Sequence, residues 1–154
     1  MKKIIAISDS HGNIKDLRLL TDYFKTCDYI FHLGDHDDDM RDFMPEYGNK
    51  IIAVKGNCDF GGEEFVFDAD GFRIMLVHGN KYHVKRGLYP LVLRAKELKA
   101  DAVFFGHTHK PEITEYDGIM FINPGAMSRF GEKTFCVAEL DGGVLKPKIL
   151  KISV

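Results

Sequence analysis

Residues 102–109 read Ala102-Val103-Phe104-Phe105-Gly106-His107-Thr108-His109. A short apolar run closed by glycine predicts a buried strand, and this one opens directly onto two histidines. The same arrangement recurs along the chain. Ile4-Ile5-Ala6-Ile7 runs into Asp9 and His11, and Tyr29-Ile30-Phe31-His32-Leu33 into Gly34-Asp35. Ile51-Ile52-Ala53-Val54 runs into Gly56-Asn57, and Ile74-Met75-Leu76-Val77 into His78. In open α/β sheets, ligands collect beyond the carboxyl ends of such strands. Singly, Gly34-Asp35 and Gly56-Asn57 are ordinary turns, and a lone His78 is an ordinary core histidine. Together, Asp9, His11, Asp35, Asn57, His78, His107 and His109 are all residues that ligate metals, and they predict one shared site.

Outward from these runs, helical patterns fill the first gaps. Asn13 with Asp16 three positions on predicts an N-cap. Ile14, Leu17, Leu20 and Phe24 then give an apolar stripe to about Cys27. Asp38 or Asp39 is expected to cap a short helix ending before Pro45. Leu88, Val92, Ala95 and Leu98 predict a second amphipathic helix, with Pro90 near its start. Three hairpins are expected, turning at Ala69-Asp70-Gly71, Asp117-Gly118 and Asp141-Gly142-Gly143. Strand and helix therefore alternate first, and antiparallel pairs dominate later. This predicts a mixed α/β protein. Past Asp35, the acidic run reads as a solvated cap region, with substrate contact by His36 or Asp37 the lesser alternative. His32 reads as a structural residue within its strand.

The 154 residues, 45% hydrophobic and 29% charged, suit one globular domain spanning 1–154. A net charge of −2 gives no basic field for nucleic acid. Only four apolar residues follow Lys2-Lys3 before Ser8-Asp9, too few for a signal-peptide core or a membrane span. Cys27, Cys58 and Cys136 are odd in number and lack metal-type spacing, which predicts reduced thiols and a cytoplasmic protein. Cys27 and Cys136 are expected as small buried hydrophobes. A homo-oligomer is compatible with the sequence.

In order, Asp9-Ser10-His11, Gly34-Asp35, Gly56-Asn57-Cys58-Asp59, His78-Gly79 and Gly106-His107-Thr108-His109 resemble the signature of the calcineurin-like metallophosphoesterases. The resemblance extends to Asn123-Pro124-Gly125, and the Gly-Asn-Cys-Asp form resembles the compact phosphodiesterase branch. It implies a four-layer sandwich of two mixed β-sheets flanked by helices. It also implies two divalent ions, one held by Asp9, His11 and His109, the other by Asn57, His78 and His107, with Asp35 as bridge. A carboxylate can span ions ~3.5–4 Å apart. An extended His107-Thr108-His109 segment would turn both rings to one side. Mixed His, Asp and Asn ligands suit Mn²⁺ first, with Ni²⁺, Fe²⁺, Co²⁺ or Zn²⁺ also accommodated, over Ca²⁺ or Mg²⁺.

The implied reaction is hydrolysis of a phosphodiester by a hydroxide that the two ions activate. Two ions against two carboxylates and that hydroxide leave the site at roughly +1, which matches a small phosphodiester. A phosphomonoester, nearer −2 at pH 7, is the alternative and would need further cations, for which Arg129 is the candidate. The remaining alternative is a non-catalytic interaction scaffold, disfavoured because all seven ligand positions are filled. Two departures from the family stand out. Cys58 occupies the position where many members carry a histidine that helps protonate the leaving group, and Asn80 replaces the last histidine of a His-Gly-His. Cys58 thus reads either as a group that touches the reaction or as a simple small loop residue, and His83 is the candidate to contact substrate in place of the missing histidine.

Overall fold

The computed structural model describes residues 1–56, 63–128 and 132–152. The sequence-predicted Asn57, Cys58 and Arg129 lie outside the described residues. Among the described residues, ten strands form two five-stranded mixed sheets. The first contains β1 (Lys2–Ile7), β2 (Tyr29–His32), β3 (Ile51–Ala53), β9 (Thr134–Asp141) and β10 (Val144–Lys151), in the order β10-β9-β1-β2-β3. The second contains β4 (Glu64–Ala69), β5 (Phe72–Val77), β6 (Ala102–Phe104), β7 (Pro111–Tyr116) and β8 (Ile119–Pro124), in the order β4-β5-β6-β8-β7. In each sheet three neighbours run parallel: β1, β2 and β3 in one, β5, β6 and β8 in the other. Antiparallel hairpins extend these triplets at the edges.

The strands alternate side chains between faces, and the apolar set divides accordingly. Ile4, Ala6, Phe31, Ile74, Leu76, Phe104, Ile122 and Ala138 meet in the layer between the sheets. Ile5, Ile7 and Ile30 face outward under Leu17, Leu20, Phe24, Phe43 and Tyr47. Met75, Val77, Val103 and Phe121 face the other way, under Leu91, Val92 and Ala95. Three apolar layers separate four layers of backbone, so the expected sandwich is observed. Cys27 and Cys136 are free and buried, and burial pushes the Cys136 thiol up to about 12.

The helices depart from expectation in instructive ways. The stripe from Ile14 forms α1 (Ile14–Leu17), a 3₁₀ turn and α2 (Thr21–Thr26) rather than one helix. Asn13 makes no capping bond; its amide donates instead to Asp16 (2.7 Å) and to the Met127 carbonyl (2.8 Å). Pro45 does not end a helix. A 3₁₀ segment, Asp37–Phe43, leads into α3 (Met44–Tyr47), and Pro45 sits in its first turn, where its missing N–H costs nothing. Neither Asp38 nor Asp39 caps that segment, which is preceded by left-handed His36 (φ 68°). The helix α4 (Tyr89–Glu97) forms as predicted, with Pro90 in its first turn. All three hairpins turn tightly, and Ala69 and Asp141 belong to the strands. No helix among the described residues is long and apolar enough to cross a membrane.

Candidate metal centre

The parallel triplets of the two sheets release their chain ends at one place. After β6, Gly106 donates its N–H to the His78 carbonyl (2.9 Å), and after β1, Asp9 donates to the Gly34 carbonyl (2.9 Å). Two glycines permit the approach. A Cβ on Gly34 (φ 104°) would lie 2.7 Å from both Gly56 N and His78 Nδ1. A Cβ on Gly106 would collide with the Ser8 hydroxyl and lie 2.9 Å from Asp9 Oδ2. Thus the loop after β6, from one sheet, seats against the loop after β1, from the other.

Six of the seven predicted ligands are described, and all six come together. Asp9, His11, Asp35 and His109 offer donor atoms within 4.8 Å of one another, as do Asp35, His78 and His107. Asp35 belongs to both groups. Asp9 is wholly buried, and its two oxygens have different surroundings. Oδ2 accepts from the Ser8 hydroxyl (2.6 Å) and the His107 N–H (3.0 Å). Oδ1 has no hydrogen-bond partner, although Nε2 of His109, His11 and His78 stands 3.3, 3.8 and 3.8 Å away. Nε2 of His11 is likewise buried without a partner. Such spacings are long for hydrogen bonds but natural for donors each ~2.0–2.2 Å from a common cation. The residues therefore fit divalent metal.

His78 is prepared as a ligand. Its Nδ1 lies 2.7 Å from the Leu33 carbonyl, which only accepts, so the proton sits on Nδ1 and Nε2 presents its lone pair. That Nε2 faces Asp35 Oδ2 at 3.5 Å and His107 Nδ1 at 3.1 Å. Burial pulls the His78 pKa down, yet the Asp35 hydrogen bond and the Asp9 and Asp35 charges outweigh it, so the net shift is upward. Burial, then the His78 and Lys85 charges, push His107 down. The adjacent Asp9 carboxylate draws His109 up.

Five of the six predicted ligands have positive φ: Asp9 53°, His11 46°, Asp35 60°, His107 73° and His109 64°. This corrects the expected extended His107-Thr108-His109 segment. It is a turn, closed by Thr108 N–H to the Gly106 carbonyl (2.9 Å). The two rings consequently diverge: His109 toward Asp9 and His107 toward His78. Non-glycine residues in this region are uncommon and persist where the surroundings over-determine them.

His83 and Asn80 are not among these groups. His83 is exposed and lines a surface depression with Arg86, Gly87, Tyr89 and Pro90, and Asn80 is exposed in a 3₁₀ turn. His36 lies at the rim, its ring 5.3 Å from that of His11. Three residues had been assigned no role from the sequence. Ser8 orients Asp9. Asn123, fully buried, donates to the Gly106 carbonyl (3.2 Å) and Thr108 Oγ1 (3.0 Å) and so holds the His107–His109 turn. Lys85 sets a positive charge near His107 and His109. Only Asn123 carried a signal, its Asn-Pro-Gly context.

The profile of the calcineurin-like phosphoesterase superfamily domain matches residues 1–143. A probable metallophosphoesterase of Bacillus subtilis, YsnB, is 34% identical over 128 residues, covering 80% of this chain and 74% of its own length. A crystal structure of a predicted phosphoesterase from Streptococcus pneumoniae superposes with a TM-score of 0.81 at 27% identity, over 97% of this chain and 89% of that one. A protein described as a novel archaeal phosphodiesterase superposes with a TM-score of 0.76 at 22% identity, over 96% of this chain and 99% of that one. Profile, relative and fold agree with the residues gathered between the two sheets: the chain belongs to the calcineurin-like phosphoesterase superfamily.

Proposed function

We propose that this chain is a metal-dependent phosphodiesterase using two divalent transition-metal ions. The observation that carries this reading is the sharing of Asp35 between two donor groups. One ion would be held by Asp9, His11, Asp35 and His109. The other would be held by Asp35, His78 and His107, with Asn57 completing it. Nitrogen and oxygen donors together favour Mn²⁺ or a neighbouring first-row ion. Bound there, the ions would supply Lewis acidity and lower the pKa of water to near neutrality. Asp35 would divide its charge between the two positions. Ser8 and the His107 amide fix Asp9 so that Oδ1 aims inward, and the Leu33 carbonyl fixes His78.

A small phosphodiester matches a site of roughly +1, and the fold is shared with a protein described as an archaeal phosphodiesterase. A phosphomonoesterase is the second reading, favoured by the Lys85 charge beside His107 and His109. Arg129, Cys58 and His83 are proposed as substrate-side groups. A scaffold without catalysis fits poorly with six converging ligands.

The test is a panel of phosphodiesters and phosphomonoesters, nucleotides included, assayed on chelator-stripped protein with each first-row metal added singly. Metal-dependent turnover with diesters ahead of monoesters is expected. Faster monoester turnover would move the assignment to the second reading, and no turnover with any metal would refute catalysis.

A further inference from the structure

Beneath the ligand loops lies a buried chain of polar groups. The Gly34 N–H donates to His32 Nδ1 (3.2 Å), and His32 Nε2 lies 2.9 Å from Ser10 Oγ. Ser10 Oγ lies 2.6 Å from Asp39 Oδ2 and 3.3 Å from the His36 carbonyl. The same Asp39 oxygen accepts the Gly12 N–H (2.7 Å). His32 and Ser10 are fully buried and Asp39 is 6% exposed.

The proton positions follow from what each atom can do. The carboxylate accepts only, and the single Ser10 proton goes to it over the shorter, charge-assisted contact. Ser10 Oγ is then an acceptor toward His32, so His32 carries its proton on Nε2. Its Nδ1 is bare, which is what the Gly34 N–H requires. A proton on Nδ1 would set two donors face to face, so His32 is neutral and held in one tautomer.

The ends of this chain are informative. Gly34 precedes Asp35, Ser10 lies between Asp9 and His11, Gly12 follows His11, and Asp39 follows the loop of Asp35. The network therefore ties the loops after β1 and β2, whose ligands Asp9, His11 and Asp35 all have positive φ. Ligand-supporting hydrogen bonds typically govern metal affinity ~10–100-fold. The geometry points to His32, Ser10 and Asp39 as a positioning relay that holds Asp9, His11 and Asp35 at cation spacing. This rests on the metal-centre reading above.

Asp39 offers the test, because one oxygen accepts both hydrogen bonds and an amide oxygen can replace it. Chelator-stripped wild type, Asp39→Asn and Asp39→Ala are titrated calorimetrically with Mn²⁺ alone. Asp39→Ala should bind ~10–100-fold more weakly, and Asp39→Asn should recover most of that loss. Wild-type affinity in Asp39→Ala, or equal losses in both variants, would overturn the relay. A merely structural role would lower the melting temperature of the metal-free protein without changing affinity. In wild-type protein, nitrogen NMR of the His32 ring should report the neutral Nε2–H tautomer; an Nδ1–H tautomer or an imidazolium overturns the relay even if Asp39→Ala fails to fold. Failure of wild type to bind Mn²⁺ would instead refute the metal centre, and the relay's role with it.

Discussion

Asp9 illustrates how single residues make this site. One of its oxygens is satisfied by Ser8 and His107, and the other is buried among imidazoles without a hydrogen bond. In Asp9→Asn the amide oxygen can keep the first role, and its NH₂ can donate to the imidazole lone pairs. The metal-free variant should thus be as stable as wild type or better, by up to about 1 kcal/mol, while losing the rise in melting temperature that Mn²⁺ gives wild type. Thermal melts with and without Mn²⁺ check both; a full metal-induced rise in Asp9→Asn would contradict the role assigned to Oδ1. At position 58 a thiol is a weak donor, whereas a histidine with pKa near ~6.5 can protonate a leaving oxygen, a contribution of ~10²–10⁴-fold. Cys58→His should raise turnover most for alkyl leaving groups and least for aryl ones. Parallel plots of log rate against leaving-group pKa for the two proteins would remove position 58 from the chemistry.

At the scale of elements, legibility followed period and chemistry. The strands behind the strand-end motifs were readable because short apolar runs are local signals, and α4 because its apolar spacing and its proline agree. The Ile14–Cys27 stripe was not readable as three pieces, because its apolar spacing runs on through the 3₁₀ turn at Arg18–Leu20, and the Asn13 bond to Met127, 114 positions away, leaves no local signal. The His107–His109 turn was misread as extended, because its left-handed backbone is imposed by contacts with Ser8, Asp9 and Asn123 from other elements. Asn123 tests that view. Asn123→Ala removes both bonds to the turn and leaves the Gly125 N–H without its acceptor. It should cost about 1–3 kcal/mol in urea denaturation of the metal-free protein and weaken Mn²⁺ binding as well. An unchanged midpoint would mean that the turn stands without it.

For the whole molecule, the four-layer sandwich brings two polar loop sets together at one sheet edge, and that edge is costly without cations. The two carboxylates lie in low dielectric, and five ligands hold strained backbone. Metal binding and folding are therefore linked. A ligand that binds only the folded state adds ~2.7 kcal/mol at a hundredfold excess over its dissociation constant. EDTA should lower the melting temperature and added Mn²⁺ restore it; insensitivity to both would contradict the linkage. The central claim is more specific, namely two cation positions joined through Asp35. A crystal of the Mn²⁺-soaked protein, measured for anomalous scattering at the manganese edge, tests it most directly. Two peaks on either side of Asp35 are predicted, one enclosed by Asp9, His11 and His109 and the other beside His78 and His107. Absence of both peaks, or peaks away from Asp35, would contradict the account.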